Sequence, residues 1–279
     1  MIPITDNHIH LDYRGKGIAA AKEFARAGGT HIIIVSKPSW TLGIDVTKPD
    51  DFRLVFEETL DIVREINRSD IGVVAFPVLG VHPAEITRLT ERVGLKQAEE
   101  LMIGGLEIAQ RFVVENDAIA IKTGRPHYEV SESVWDASNR IMAYAMTLAH
   151  ESGCAVQLHT ETADALVIAD LARIARSAGI SPEKVVKHYA PPLVNIFEQE
   201  GIFPGVLAGK GAIEAALAEG SRFMMETDYI DDPERPGAVL GPKTVPRRTL
   251  QLIERFGEEV FWKVHKENPE QVYGIEIEV

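Results

Sequence analysis

The chain has 279 residues, enough for one large α/β domain or two ordinary ones. Its composition, 45% hydrophobic and 25% charged, is that of a globular chain with a sizeable core, and no apolar run approaches the roughly 20 residues that span a bilayer. A formal net charge of -13 argues against a broad basic surface for duplex nucleic acid. A nuclease stays open, because bound metal ions and a few local Arg and Lys residues can supply positive potential at a site.

Pro3 to His10 reads as a first strand, and Arg14 to Ala27 as a helix ending at Gly28-Gly29. His31 to Val35 is a continuous apolar run of the kind found in a covered parallel strand. Lys37 to Asp51, with two prolines, is a loop or irregular insertion before a helix from Asp51 to about Asn67. Ile71 to Leu79 is the third strand, followed by Gly80-Val81-His82-Pro83 and by helical segments to about Glu115, interrupted near Gly104-Gly105. Ala118 to Lys122 is the fourth, ending in Thr123-Gly124-Arg125-Pro126-His127. Ser131 caps the next helix. Ala155 to His159 is the fifth strand, Ala163 to Ala178 a helix, Val185 to His188 the sixth strand, Ile202 to Leu207 a weak seventh and Phe223 to Asp228 the eighth. Helices from Thr244 to Asn268 close the chain.

Eight strands alternating with helices predict parallel pairing and right-handed crossovers. The expected fold is a single (β/α)8 TIM barrel over residues 1–279, with its functional groups at the carboxyl ends of the strands. An open doubly wound sheet would carry a glycine-rich phosphate turn after the first strand; Leu11 to Gly17 lacks the third glycine at the right offset. The opening residues have neither a basic n-region nor an apolar h-region, and the single Cys154 excludes an internal disulfide framework. The expected location is the cytoplasm, without membrane association.

Chemistry gathers at the strand ends. His8 and His10 stand two apart, so both project from one face of an extended strand, where two neutral imidazoles can chelate one divalent ion. Lys122, His159, His188 and Asp228 end later strands, and His82 follows the third. In a barrel these ends meet at one mouth. Imidazole and carboxylate together suit one or two divalent ions, zinc first, with Mn, Mg, Ni, Co or Fe as alternatives. Metal-assisted hydrolysis is the usual chemistry of such a set, with Asp228 as ligand and proton acceptor. Asp6 and Glu226 are candidate outer partners of the ligands.

The bland readings stand beside these. His82 fits a Val-His-Pro turn about as well as a catalytic role, and Glu161 fits a helix cap as well as a substrate contact. His31, His150 and His265 read as structural or surface residues, and Asp231-Asp232 as a solvated loop.

Asp6-Asn7-His8-Ile9-His10-Leu11, Gly80-Val81-His82-Pro83 and Glu226-Thr227-Asp228, with His159 and His188 and the closing Asn268 to Gly274, resemble the TatD-type metal-dependent hydrolases. These are TIM-barrel enzymes of the amidohydrolase superfamily, and the likeness is strongest to the family's archaeal-type branch. The resemblance implies that His8, His10 and Asp228 hold one ion and that His159 and His188 hold the second, with a bridging residue at the end of strand four. It places His82 at the mouth as a catalytic or phosphate-contacting group, with Arg125 and His127 as substrate contacts.

One position departs from the pattern. Where the family has a glutamate in Gly-Glu-x-Gly, this chain has Lys122 in Ala120-Ile121-Lys122-Thr123-Gly124. Either carbon dioxide converts Lys122 to a carbamate (N6-carboxylysine), as in phosphotriesterase-like members of the superfamily, or it stays an ammonium and displaces one ion. The implied activity is that of a phosphoesterase or deoxyribonuclease on a small-molecule or nucleic-acid phosphoester. The alternatives are a lactonase, amidohydrolase or phosphotriesterase-like hydrolase, or a metal-binding barrel without turnover. No obligate protein partner is implied, and self-association is left open.

Overall fold

The computed structural model describes residues 2–235 and 237–278. Its strands are β1 (Thr5–His10), β2 (His31–Val35), β3 (Val74–Gly80), β4 (Ala120–Gly124), β5 (Ala155–His159), β6 (Val185–Ala190), β7 (Phe203–Leu207), β8 (Met224–Glu226) and β9 (Tyr229–Ile230). Between them run α1 (Ile18–Arg26), α2 (Asp51–Arg68), α3 (Glu85–Val93), α4 (Leu95–Val114), α5 (Glu132–Ser152), α6 (Ala165–Ser177), α7 (Val194–Glu200) and α8 (Ala212–Glu219). After β9 come α9 (Thr244–Phe256), α10 (Glu258–Trp262) and α11 (Asn268–Tyr273). No described helix is long and apolar enough to cross a membrane.

All pairings are parallel, in the order β8-β7-β6-β5-β4-β3-β2-β1-β9. The two ends of this order, β8 and β9, are separated in the chain by Thr227 and Asp228 alone. One short stretch therefore touches both margins of the sheet, and the architecture is that of a TIM-like barrel. The stretch expected as one eighth strand thus ends in β8 and leads into β9, nine strands among the described residues. The break has a local cause: Thr227 turns its N–H and hydroxyl onto the Asp6 carboxylate, at 3.0 and 2.6 Å, and Asp228 adopts φ 46. Asp is one of the few residues that enter the left-handed region at small cost.

The expected interruption at Gly104-Gly105 is absent. α4 runs through both, and the break falls earlier, at Gly94 with φ 82. The two glycines serve packing: a Cβ at Gly105 would lie 2.4 Å from the Phe52 ring, and one at Gly104 2.6 Å from Pro49. Ser131 does cap α5, its hydroxyl accepting from Val134 N.

Two apolar layers result. Ile33, Val35, Val78, Ala120, Ala155, Val186, Phe203 and Met224 form one cluster inside the sheet, joined by Val272 and Tyr273 from α11. Larger clusters fill the space between sheet and helices. The terminal helices are tied to β1 through His265, which is fully buried. Its Nδ1 lies 3.1 Å from Thr5 N, its Nε2 lies 2.7 Å from the Thr249 hydroxyl, and its carbonyl accepts from Thr5 Oγ1 at 2.6 Å.

Burial drives the His265 pKa down to about 3. The unfolded chain takes up that proton near pH 6.5 while the folded chain refuses it, so stability is lost as pH falls below 6.5. Each unit is worth about 1.4 kcal/mol, or roughly 2 kcal/mol by pH 5. Melting curves from pH 4 to 7 are expected to show a shallower acid dependence for His265→Gln than for the parent. Equal slopes would assign the acid loss to other groups.

Candidate metal centre

β1 carries an irregularity in register between Asp6 and Ile9, and β6 another between Lys187 and Ala190. Such bulges re-aim side chains, and here both flank candidate ligands. His8 Nε2 and His10 Nε2 come within 3.1 Å of one another, and Asp228 Oδ1 lies 3.8 and 3.7 Å from them. These three residues offer atoms that all lie within 4.8 Å, close enough for one ion to share. A second pair forms beside them: His159 Nδ1 is 3.0 Å from His188 Nε2, and the His188 ring stacks on His8 at 3.8 Å between centroids. Lys122 Nζ stands 3.2 Å from His8 Nε2. The six residues expected as ligands are therefore brought together, from β1, β4, β5, β6 and the β8–β9 junction.

His8, His188 and Glu226 also satisfy the spacing for a shared ion. Glu226 is already engaged: Oε1 accepts from Tyr189 N at 2.6 Å and faces His188 Nδ1 at 3.0 Å, and Oε2 accepts from Asn7 Nδ2 at 3.4 Å. It is better placed to orient His188 than to bind metal. Asp6, the other expected outer partner, holds Thr227 and so shapes the turn that delivers Asp228.

The electrostatics fit a cation. His8, His10, His82, His159 and His188 are all held well below the usual imidazole range, first by burial and then by the charge of Lys122 or neighbouring imidazoles. Neutral rings keep the lone pairs that coordination needs. Burial pushes Lys122 down to about 8, Asp228 up to about 6 and Glu226 up to about 8. So many neutral donors converging on one point is the arrangement expected around divalent ions.

His10, His159 and Asp228 open onto a cleft of about 890 Å³. His82, His127, Trp40, Arg14, Lys37 and Arg235 also line it. His82 Nδ1 accepts from Ala84 N at 3.2 Å, which leaves its proton on Nε2. His127 Nδ1 lies 2.9 Å from His159 Nε2. The insertion after Lys37 and the loop after Asp231 thus both line the cleft, Pro236 lying outside the described residues.

Arg125 is not brought to this cleft. Its guanidinium binds Glu161, Asp170 and Asn139 and covers the Trp135 ring at 4.6 Å, on the helix side of the sheet. Glu161 is thereby occupied as well. Asp231 is buried rather than solvated, accepting from the amides of Lys16 and Gly17 at 2.8 Å each.

The roles of Gln157, Asn7, Tyr273 and Lys187 escaped the reading from sequence, although Asn7 and Tyr273 lie within the motifs that carry the resemblance. Gln157 Oε1 sits 2.8 Å from His8 Nδ1, and Lys187 Nζ donates to the His188 carbonyl at 2.6 Å. Gln157 did leave a signal, being the one polar residue within Ala155 to Leu158 and two positions before His159.

Glu226 depends on Gly205. A Cβ there would lie 2.1 Å from Glu226 Oε2 and 3.2 Å from Asn7 Nδ2. Gly205→Ala is expected to dislodge the carboxylate from His188 and weaken ion binding by about 10–100-fold, the usual effect of losing a ligand's outer partner. Calorimetric titration with Zn²⁺ checks this, and an unchanged affinity would remove Glu226 from the centre.

The family model described as "TatD related DNase" matches residues 5–274. An uncharacterised protein of Methanocaldococcus jannaschii, MJ1127, is 41% identical over 288 residues, which span 100% of this chain and 98% of the relative. Among solved structures, the TatD homologue YjjV of Escherichia coli K12 superposes with a TM-score of 0.66 at 16% identity, covering 98% of each chain. A mutant organophosphorus hydrolase from Deinococcus radiodurans gives a TM-score of 0.60 at 16% identity, over 98% of this chain and 94% of that one. The chain belongs to the TatD related DNase family of metal-dependent hydrolases.

Proposed function

We propose that this chain is a single-domain (β/α)8 enzyme, with β8 and β9 as two halves of one closing strand, and that it hydrolyses phosphoesters at a dinuclear centre. The observation that carries the reading is the convergence of His8, His10, His159, His188 and Asp228, neutral imidazoles around a carboxylate, at the base of a cleft onto which His10, His159 and Asp228 open. His8, His10 and Asp228 would hold one divalent ion and His159 and His188 the other, with Lys122 between them. Such ions, zinc first among the candidates, lower the pKa of water and polarise a phosphoryl oxygen.

The protein's own part follows from its geometry. Asp228 turns Oδ1 to the histidines, which leaves its second oxygen to take the proton of the attacking water. His82 presents Nε2–H to the cleft as a donor for a phosphate oxygen. His127, hydrogen-bonded to His159, stands beside it as a substrate contact. Arg14, Lys37 and Arg235 on the walls are each paired with Asp12 or Asp232, so positive potential for an anionic substrate would come from the bound ions. A small phosphoester or a single strand end fits a cleft of this volume, and nuclease action is one arm of the test.

Buried Lys122 beside His8 favours a second reading, a lactonase or phosphotriesterase-like hydrolase with a carbamylated lysine. Ion counting by inductively coupled plasma mass spectrometry, with turnover on p-nitrophenyl phosphate, a phosphodiester, single-stranded DNA, a lactone and a phosphotriester, separates the two. Two ions with phosphoester turnover is the expected result. Lactone or phosphotriester turnover alone selects the second reading, and inactivity on every substrate with ions bound would make the barrel a binding protein.

A further inference from the structure

A run of buried hydrogen bonds joins His8 to His188 by way of Tyr273, in the last helix. Its proton positions follow from one fixed point, the Asn7 backbone carbonyl, which can only accept. Gln157 Nε2 lies 3.1 Å from that oxygen, so the amide oxygen is the atom facing His8 Nδ1 at 2.8 Å. His8 therefore carries its proton on Nδ1 and keeps the Nε2 lone pair.

Gln157 Nε2 also donates to the Tyr273 hydroxyl at 2.6 Å, and the hydroxyl in turn donates to Asn7 Oδ1 at 2.9 Å. With its oxygen so used, Asn7 directs Nδ2 to Glu226 Oε2. Glu226 Oε1 is the acceptor facing His188 Nδ1 at 3.0 Å, which leaves His188 Nε2 free toward His159. The Tyr273 ring lies in the barrel's inner apolar cluster, a role phenylalanine would fill equally well. Only the hydroxyl requires tyrosine.

We propose that the Tyr273 hydroxyl is a positioning group that carries the hydrogen-bond polarity set at Gln157 by the Asn7 backbone carbonyl on to the Asn7 side chain, and so fixes the tautomer of His188 in step with that of His8. The last helix thereby links the ring nitrogen offered at one ion site to that offered at the other. This rests on the reading of His8 and His188 as ion ligands, and its test is built to fail separately. Reversing any one bond of the relay would set donor against donor, or acceptor against acceptor, in a buried place where the mismatch is costly.

The experiment compares Tyr273→Phe with the parent by long-range ¹H–¹⁵N correlation spectra of the metal-free protein and by Zn²⁺ titration calorimetry. The His188 ring-nitrogen shifts are expected to move while those of His8, held by Gln157 and the Asn7 carbonyl, stay in place, and Zn²⁺ affinity to fall about 10–100-fold. Val272→Ala, which trims the neighbouring apolar contact, is expected to lower the melting temperature while leaving shifts and affinity alone. Gln157→Met enters the same relay elsewhere and serves if Tyr273→Phe does not fold. Unchanged shifts and affinity in the relay variants, or the same losses in Val272→Ala, would overturn the proposal. A parent that binds no Zn²⁺ while its His188 tautomer still responds to Tyr273→Phe would keep the relay and sink the hydrolytic centre.

Discussion

Asp228→Asn is expected to cut turnover at least about 10²–10⁴-fold, the range lost with a positioned general base, while the fold survives. The backbone at residue 228 lies at φ 46, and Asn enters that region as readily as Asp. The amide is nearly isosteric, so Asp228 N can keep its bond to the His8 carbonyl at 3.0 Å. What vanishes is an anionic oxygen 3.7–3.8 Å from His8 and His10 and the ability to hold a proton.

The stability of this variant should change in an informative way. Burial raises the Asp228 carboxyl to about 6, so in the metal-free protein near pH 7 the carboxylate is largely ionised in an unfavourable place. Its neutral replacement should leave the metal-free melting temperature equal or higher. Added Zn²⁺ should then raise that temperature less than in the parent, because ligand-linked stabilisation follows affinity. Full kcat in saturating Zn²⁺ would show that another group takes the proton.

The histidines could be read in advance because the signal is local. His8 and His10 alternate along β1, which fixes the side they share, and His159 closes the run from Ala155. Arg125 shows the limit of that argument. It too follows a strand end, yet Glu161 and Asp170 lie far away in sequence and capture it on the helix side. Gln157 and Tyr273 show another limit, since a relay made of residues more than a hundred positions apart has no local pattern. The strand count differs for a related reason. Whether Phe223 to Asp228 is one strand or the start of two depends on Asp6 pulling Thr227 out of register.

Lys122 offers the second large effect, and the two states of its nitrogen predict opposite results. Its Nζ is buried 3.2 Å from His8 Nε2, with the pKa pushed down to about 8 by burial. If the neutral amine adds to carbon dioxide, an N–C bond forms and one N–H proton leaves to solvent. The resulting anionic carbamate supplies two oxygens where the chain otherwise has a cation. Removing it by Lys122→Met should then abolish binding of one ion and lower activity by at least about 10–100-fold, the loss expected even for an outer partner of a ligand. Should the nitrogen instead remain an ammonium, the same substitution removes a like charge from beside the ions, and their affinity should rise. The expected result is the loss, accompanied in the parent by a carbamate carbon signal after incubation with ¹³C-bicarbonate and Zn²⁺. Lys122→Glu, which restores a carboxylate from a shorter side chain, should recover part of the ion binding without that signal. Tighter Zn²⁺ binding in Lys122→Met, with no labelled carbon in the parent, would establish the ammonium and leave the centre with a single ion.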